Sequence, residues 1–295
     1  MIEQTTFSSF RYEVKSAVAH IVLNRAEKRN CLTRAFWFEL PQAVKLAEAN
    51  PEVRCILLRG EGKIFSAGID LGVLDGLKTM GEGLESSRKA DHLRRTVLSL
   101  QDSVSSLEQT RLPVIAAIQG ACIGGALDLV CAADIRLADP NAAFTPMEMD
   151  LGFVPDMGTV QRLTAMLPYG VVADWLMDCS TLSGDDALRI GFVSRLSANA
   201  EELEPLAIKL AERIAARSPL ATMGAKELMK FTNAHGVQAS LRYTAAWQSG
   251  VFPGADLDKC IAARQSKISA EFDGMADDRC VFGIDDTGKD SLKRR

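Results

Sequence analysis

Short apolar runs alternate with helical patterns through the first half of the chain. Four runs predict buried strands, at residues 17–24, 53–60, 112–120 and 134–139. Between them, residues 34–49 and 91–109 carry apolar positions three and four apart, which predicts amphipathic helices. Pro41 is expected to kink the first helix or to lie near a restart of it. Residues 72–90 are polar and Gly-rich and are expected to form a loop. Strands that alternate with helices favour an α/β core.

Beyond residue 157 the apolar positions keep a helical spacing almost to the end of the chain. Ser183 and Ser218 each precede a helical pattern as an N-cap, and Pro219 occupies a first-turn position. The last two patterns, at 241–252 and 258–272, carry large apolar residues. Because an isolated chain end would leave such residues in water, we expect them to be buried against a neighbouring subunit.

These patterns divide the chain into three parts. Residues 1–200 are expected to form the α/β core that carries the site, and residues 201–272 a helical region that mediates oligomerisation. From Asp273 the chain turns polar, so residues 273–295 are expected to be disordered.

The composition suits a protein with a sizeable buried interior. The 295 residues are 47% hydrophobic, which is enough for a core that needs no disulfide bonds. The net charge is −4 and the one basic block is the closing segment 293–295, so a nucleic-acid-binding surface is not indicated. The longest apolar stretch, 112–135, is interrupted by a proline, a glutamine and two aspartates, which disfavours a membrane span.

Cysteine and histidine usage argues against disulfide and metal chemistry. The seven cysteines are scattered without a C-x-x-C pair, at positions 31, 55, 122, 131, 179, 260 and 280. His20, His92 and His235 are isolated, so no metal site is expected. Neither end of the chain carries a recognisable targeting segment. Together these features predict reduced thiols and a cytoplasmic location.

Two glycine-containing segments offer backbone N–H groups to a ligand. Residues 64–70, IFSAGID, follow a predicted strand. Residues 120–129, GACIGGALDL, place Gly124 and Gly125 between the end of a predicted strand and the start of a predicted helix. Without Cβ atoms the backbone can be approached closely, so a pair of such segments can bind an oxyanion. Taken singly, each segment is also compatible with an ordinary glycine turn.

Acidic residues stand among apolar ones at three further positions. Asp128 follows Gly125 by about one helical turn, and Glu148 and Asp156 lie in the segment MEMDLGFVPDMG, residues 147–158. A buried carboxylate without a partner is costly unless it becomes neutral or serves chemistry. Asp150, in the same segment, is interpreted as a surface or capping residue.

The joint motif resembles the enoyl-CoA hydratase/isomerase, or crotonase, superfamily over roughly residues 10–270. The resemblance is carried by five segments, LNRAEKRNCLT, FSAGIDL, PVIAAIQGACIGGALDLVCAADIRLA, AAFTPMEMDLGFVPDMGTVQRL and DDALRIGFVSRL. It implies an α/β fold with a spiral core of ββα repeats and a C-terminal helical region that forms trimers or dimers of trimers. It also implies an acyl-CoA thioester as substrate, with no cofactor beyond the coenzyme A that the substrate carries.

Within that superfamily the pattern is most similar to the Δ3,5-Δ2,4-dienoyl-CoA isomerases, which have three acids. The resemblance places these acids at Asp128, Glu148 and Asp156. The sequence departs from the family pattern at Ala126 and Pro155. Moving two double bonds from positions 3,5 to 2,4 requires a proton to leave C2 and another to arrive at C6, which one carboxylate cannot reach. We therefore assign Glu148 as the base and Asp156 as the acid, with Asp128 orienting or polarising Glu148.

The resemblance also implies the groups that hold the substrate. The oxyanion donors would be the N–H groups of Ile69 and Gly125. Coenzyme A and the substrate would contact the first motif and the two glycine segments, through Lys28, Arg29, Ser66, Ala67, Gly68, Asp70 and Gly124. Asp156 would be kept protonated by apolar neighbours such as Phe153, Val154 and Met157.

Two other functions stay open. A 2-enoyl-CoA hydratase would use Asp128 and Glu148 to activate water, with Asp156 incidental. A chain of the same fold could instead bind an acyl-CoA or RNA without turnover, although the acidic balance disfavours RNA and the three acids favour catalysis. The expected role is in the β-oxidation of unsaturated fatty acids, and the sequence leaves the length of the acyl chain open.

Overall fold

The computed structural model describes residues 6–276. Its strands are β1 (Arg11–Lys15), β2 (Val18–Leu23), β3 (Cys55–Gly60), β4 (Val114–Ile118), β5 (Ala121–Ile123), β6 (Ile135–Ala138), β7 (Ala143–Thr145), β8 (Leu182–Ser183) and β9 (Arg195–Leu196). Its α-helices are α1 (Arg34–Ala49), α2 (Leu71–Lys78), α3 (Ser86–Gln109), α4 (Gly125–Cys131), α5 (Thr159–Met166), α6 (Tyr169–Asp178), α7 (Gly184–Arg189), α8 (Ala200–Ala215), α9 (Pro219–Val251) and α10 (Ala255–Ser266).

Six strands form one sheet in the order β1-β2-β3-β4-β6-β9. The hairpin of β1 and β2 is antiparallel, and the remaining neighbours run parallel. A smaller sheet has the order β5-β7-β8 and begins directly after β4, beside the candidate site. The four strands predicted from the apolar runs are all present, and the α/β class is confirmed.

Alternate residues of the parallel strands point to opposite faces, and both faces are buried. On β3, Ile56 and Leu58 join the main core, whereas Cys55 and Leu57 join a second cluster that includes Leu210 and other apolar residues of α8. A parallel sheet is ordinarily covered on both faces, which explains why these strands read as continuous apolar runs. Helix α8 thus covers one face of the sheet, although most of its sequence falls in the proposed helical region 201–272. The division of the chain at residue 200 stays a prediction.

The predicted loop at 72–90 is largely helical. Asp70 caps α2 by accepting a hydrogen bond from Gly72 N at 2.9 Å, and Glu85 caps α3 by accepting from the N–H groups of Ser87 and Arg88. Helix α2, LGVLDGLK, buries none of its residues, and two of its eight residues are glycines, which is why the segment is typical of a loop in sequence. Helix α3 starts at residue 86 rather than 91, because its first two turns are polar and show no apolar spacing.

Other local predictions are confirmed. Helix α1 spans residues 34–49 with Pro41 inside it. Ser183 caps α7 through a bond from Asp186 N, and Ser218 caps α9 with Pro219 in the first turn.

Helix α9 reverses direction at Gly236, whose φ of 78° is left-handed. The two halves pair as a hairpin, with the rings of Phe231 and Tyr243 4.6 Å apart and a 2.7 Å hydrogen bond between the hydroxyls of Thr232 and Ser240. The first half is anchored to the core by the buried Lys226, whose Nζ donates to the carbonyls of Leu107 and Leu112 and pairs with Asp134 at 2.8 Å.

The C-terminal region leaves several large apolar side chains exposed on the single chain, among them Leu241, Phe252, Ile261 and Ile268. The expectation that a neighbouring subunit covers them stays a prediction. Within the expected tail, Met275 N donates to Pro51 O and its side chain packs against the core, and the disorder of residues 273–295 stays a prediction. The rest of the expected tail, including Cys280, lies outside the described residues. Across residues 6–276, none of the helices combines the length and apolarity that crossing a membrane requires.

Candidate active site

The two glycine segments meet in space. Loop 66–69 runs beside the start of β5, where Ser66 pairs with Cys122 in an isolated bridge. A Cβ built on Gly68 would collide with Ile123 O and lie 3.5 Å from Gly125 N, so only glycine permits this approach. One built on Gly125 would lie 3.3 Å from the Ile69 side chain. The predicted oxyanion donors therefore lie on adjoining backbone segments.

The two candidate donors are free to bind a ligand. Ile69 takes part in a bridge with Leu32, but the hydrogen bonds of that bridge use Gly68 O and Asp70 N. Neither Ile69 N nor Gly125 N donates to another residue within 6–276. Unpaired N–H groups need a partner, and an anionic oxygen supplies one.

Glu148 faces this pair of segments from the turn that follows β7. A Cβ on Gly124 would lie 3.1 Å from Glu148 Oε1, so the carboxylate lies directly against the glycine turn. Glu148 is buried, and burial raises its pKa to about 7, with further contributions from the charges of Asp128 and Asp156. A carboxylate with this pKa is a suitable general base near neutral pH.

Asp128 is fully buried one turn into α4. Its Oδ1 accepts hydrogen bonds from Thr159 N at 2.8 Å and Thr159 Oγ1 at 2.7 Å, and its Oδ2 has no partner among the described residues. Burial raises the pKa of Asp128 to about 6, although the bonds from Thr159 oppose the shift and the charge of Asp156 adds to it. The acid is thus anchored to α5, and it acts on Glu148 through its charge.

Asp156 is half-buried in the turn before α5. Burial raises the pKa of its carboxyl above the ordinary value. Of the three apolar neighbours expected to shield it, Met157 is buried, but Phe153 and Val154 are 42% and 59% exposed. The expectation for these two is therefore wrong on the single chain, because the chain turns outward at residues 151–154. Asp150 is exposed, as expected.

The remaining residues that the sequence assigned to substrate binding fall into two groups. Lys28 and Arg29 are exposed on a short turn, and Arg29 O accepts a 2.9 Å hydrogen bond from Ala67 N, so this turn lies against the 66–69 loop. Ser66 and Asp70 instead support the backbone. The Ser66 hydroxyl donates to Asn30 O and accepts from Gly68 N, and Asp70 caps α2 while accepting from Cys31 Sγ at 3.1 Å.

A cavity of about 640 Å³ opens beside these segments, between α1, α2 and α3. Its wall is mostly apolar and includes Trp37, Leu77, Met80 and Leu100. Trp37 connects the cavity to the glycine turn, because its ring would lie 3.6 Å from a Cβ on Gly125. The three acids themselves do not line it, so the cavity suits the apolar part of a ligand whose reacting end lies at the glycine turn.

Sequence reasoning did not identify Thr159, Gln101 and Arg162, which hold the acids in place. Thr159 and Arg162 belong to the quoted motif segment, so a signal was present for them. No sequence signal pointed to Gln101, because its partner is a backbone carbonyl 55 positions away. No group of three or more His, Cys, Asp or Glu side chains in residues 6–276 is arranged to hold a metal ion.

The chain is similar to known proteins along most of its length. The family model for enoyl-CoA hydratase/isomerase matches residues 13–274. The chain is 36% identical to the peroxisomal Δ(3,5)-Δ(2,4)-dienoyl-CoA isomerase of Arabidopsis thaliana, over 90% of this chain and 96% of that protein. It is 35% identical to the mitochondrial Δ(3,5)-Δ(2,4)-dienoyl-CoA isomerase of Mus musculus, over 85% and 77% respectively. The crystal structure of an enoyl-CoA hydratase from Bacillus anthracis superposes with a TM-score of 0.81 at 26% identity, covering 90% of this chain and 100% of that one.

Proposed function

The chain belongs to the enoyl-CoA hydratase/isomerase family, and from this premise we propose that it converts 3,5-dienoyl-CoA to 2,4-dienoyl-CoA. The observation that carries the proposal is the third acid. Asp156 lies near enough to Asp128 and Glu148 for its charge to raise the pKa of both. A hydration of a 2-enoyl thioester has no use for this third acid, whereas a shift of two double bonds requires an acid remote from the base. The similarity to two dienoyl-CoA isomerases supports the same reaction.

In the proposed mechanism, Glu148 removes a proton from C2 of the thioester. The electron pair of the broken C–H bond spreads over the thioester oxygen, C4 and C6. The N–H groups of Ile69 and Gly125 donate to the oxygen as its charge grows, and each such donor typically contributes about 2.7 to 4 kcal/mol. Asp156 then delivers its proton to C6, which leaves double bonds at positions 2 and 4.

Asp128 raises the basicity of Glu148 in this scheme. It makes no hydrogen bond to Glu148 in residues 6–276, and Thr159 fixes its position. Its negative charge favours the protonated form of Glu148, which strengthens that residue as a base. Lys28 and Arg29 remain proposed contacts for the phosphates of coenzyme A, and no further cofactor is proposed.

The direct test is to incubate the purified protein with a 3,5-dienoyl-CoA in the presence of a metal chelator. We expect a new absorbance from the conjugated 2,4-dienoyl thioester. Rapid hydration of 2-enoyl-CoA without turnover of the dienoyl substrate would instead identify a hydratase, the function suggested by the similarity to the Bacillus anthracis structure.

The pH dependence follows from the two pKa values that the mechanism uses. Activity requires Glu148 ionised and Asp156 protonated. As the pH rises through about 7, Glu148 loses its proton and kcat/KM should increase. Burial raises the pKa of Asp156 above its ordinary value, and ionisation of this acid should lower kcat/KM, so the pH profile of kcat/KM combines the two titrations. Initial rates between pH 5 and pH 10 measure it, and a rate that falls steadily as the pH rises from 5 to 8 would contradict the assignment of Glu148.

The location and assembly of the protein stay predictions. The relatives from Arabidopsis thaliana and Mus musculus are named as peroxisomal and mitochondrial, so the cytoplasmic location expected from the sequence lacks their support. We propose a homotrimer or a dimer of trimers, supported by the exposed apolar side chains of α9 and α10.

A further inference from the structure

Two side chains hold the turn that carries Asp156. Gln101, on α3, donates from Nε2 to the backbone carbonyl of Asp156 at 2.6 Å. Arg162, on α5, donates from Nη1 to the next carbonyl, that of Met157, at 3.0 Å. Two successive carbonyls of the turn are therefore each fixed by a side chain, although the turn belongs to neither a helix nor a strand.

Arg162 is itself held by α3. Its guanidinium donates to Ser105 Oγ at 2.9 Å and to Glu108 Oε2 at 2.8 Å, and its side chain is only 12% exposed. Gly158 makes room for it, because a Cβ at this left-handed position would collide with the guanidinium. A planar guanidinium with several donors can join a carbonyl, a hydroxyl and a carboxylate at once, which a lysine cannot do.

The same helix borders the apolar cavity. Thr96, Ser99 and Leu100 of α3 line the cavity, and Gln101 follows directly in the chain. Helix α3 therefore carries part of the cavity wall, against which an acyl chain would lie. It also carries Gln101 and the two residues that hold Arg162, and these fix the turn that carries Asp156. The helix thus links the wall of the cavity to the turn that carries Asp156.

We propose that Gln101 and Arg162 are positioning residues that aim Asp156 at C6 and thereby decide which carbon is protonated. This inference rests on the proposed function. The anion formed when C2 loses its proton carries charge at C2, C4 and C6. A proton that arrives at C6 gives the 2,4-diene, one that arrives at C4 gives the 2,5-diene, and one that returns to C2 restores the substrate.

The test compares Gln101→Met with the wild-type chain. Methionine has nearly the same length and is a good helix former, but it donates no hydrogen bond. We expect kcat to fall by about ten- to a hundredfold, as for a catalytic group displaced by about 1 Å, and the 2,5-diene to appear as a product. KM should stay within about twofold, because the cavity wall is unchanged. Products are separated by chromatography, and a reaction in heavy water shows whether deuterium enters at C4 or C6.

Two further variants provide a control and a second test of the inference. Asp102→Asn changes the exposed neighbour of Gln101 on the same helix and should leave rate and product unchanged. Arg162→Lys keeps the positive charge but loses the simultaneous contacts to Met157 and α3, so it should raise the share of 2,5-diene as Gln101→Met does. Thermal unfolding of each variant identifies any that fail to fold, in which case Gln101→Glu, isosteric with the wild-type residue, replaces Gln101→Met.

The outcomes separate this inference from the proposed function. A variant that loses rate while making the 2,4-diene alone, with deuterium at C6 and none at C4, would show a merely structural role for the residue and overturn the inference. Wild-type kinetics in both Gln101→Met and Arg162→Lys would overturn it as well. Both results require an active wild-type isomerase, whereas a wild-type chain that neither isomerises the substrate nor exchanges its C2 proton would overturn the proposed function itself.

Discussion

Replacing Glu148 by Gln is expected to lower kcat/KM for the isomerisation by about a hundred- to ten-thousandfold, the usual contribution of a general base. The amide keeps the shape of the side chain against Gly124 but cannot accept a proton from carbon. Because removal of the C2 proton is the first step, exchange of that proton with heavy water should disappear together with the 2,4-diene. Product formation is followed by absorbance, and exchange is followed by NMR of the recovered substrate.

Asp150→Asn is the matched control for Glu148→Gln. Asp150 lies two residues away in the same turn, is exposed and has no proposed role, so its replacement should leave both readouts unchanged. Persisting exchange of the C2 proton in Glu148→Gln would show that another group is the base. Asp128 would then be the first candidate, because its Oδ2 has no partner among the described residues.

The fold was predictable where burial leaves a simple pattern. Residues 55–60 alternate between two buried faces, which produces an apolar run that could be recognised as a strand. Helix α2 was not recognised, because two of its eight residues are glycines, which are typical of loops. The contact of Met275 with Pro51 could not be predicted from the polar composition of the tail, because its partner lies far away in sequence.

The site was predictable in its residue types but only partly in its environment. The three acids stood out as charges in apolar segments, and Asp128 and Glu148 are indeed buried with raised pKa values. The shielding of Asp156 was attributed to its sequence neighbours, yet Phe153 and Val154 face outward. Anchors such as Gln101 lie far away in sequence, and their partners are backbone carbonyls, which every residue has.

Replacing Asp156 by Asn is expected to abolish formation of the 2,4-diene, a loss of about a hundred- to ten-thousandfold, while the C2 proton still exchanges. The substitution is well suited to the question, because Gln101 binds the backbone carbonyl of residue 156 and not its side chain. The turn should therefore keep its position, and only the acid is lost. The anion formed by Glu148 then has no proton donor at C6 and returns to the substrate, so in heavy water the recovered 3,5-dienoyl-CoA should carry deuterium at C2.

A second effect of Asp156→Asn tests whether the acids act on one another. Where Asp156 is ionised, its charge contributes to the raised pKa of Glu148, so replacing it by the neutral Asn should lower that pKa. The exchange rate at C2 should consequently reach its plateau at a lower pH in Asp156→Asn than in the wild-type chain. Wild-type isomerisation by this variant would show that Asp156 has no part in the mechanism. If the C2 proton still exchanges but the pH profile of the exchange is not shifted, the two carboxyls work independently. Lost isomerisation, retained exchange and a shifted profile together are what two coupled acids at opposite ends of one diene require.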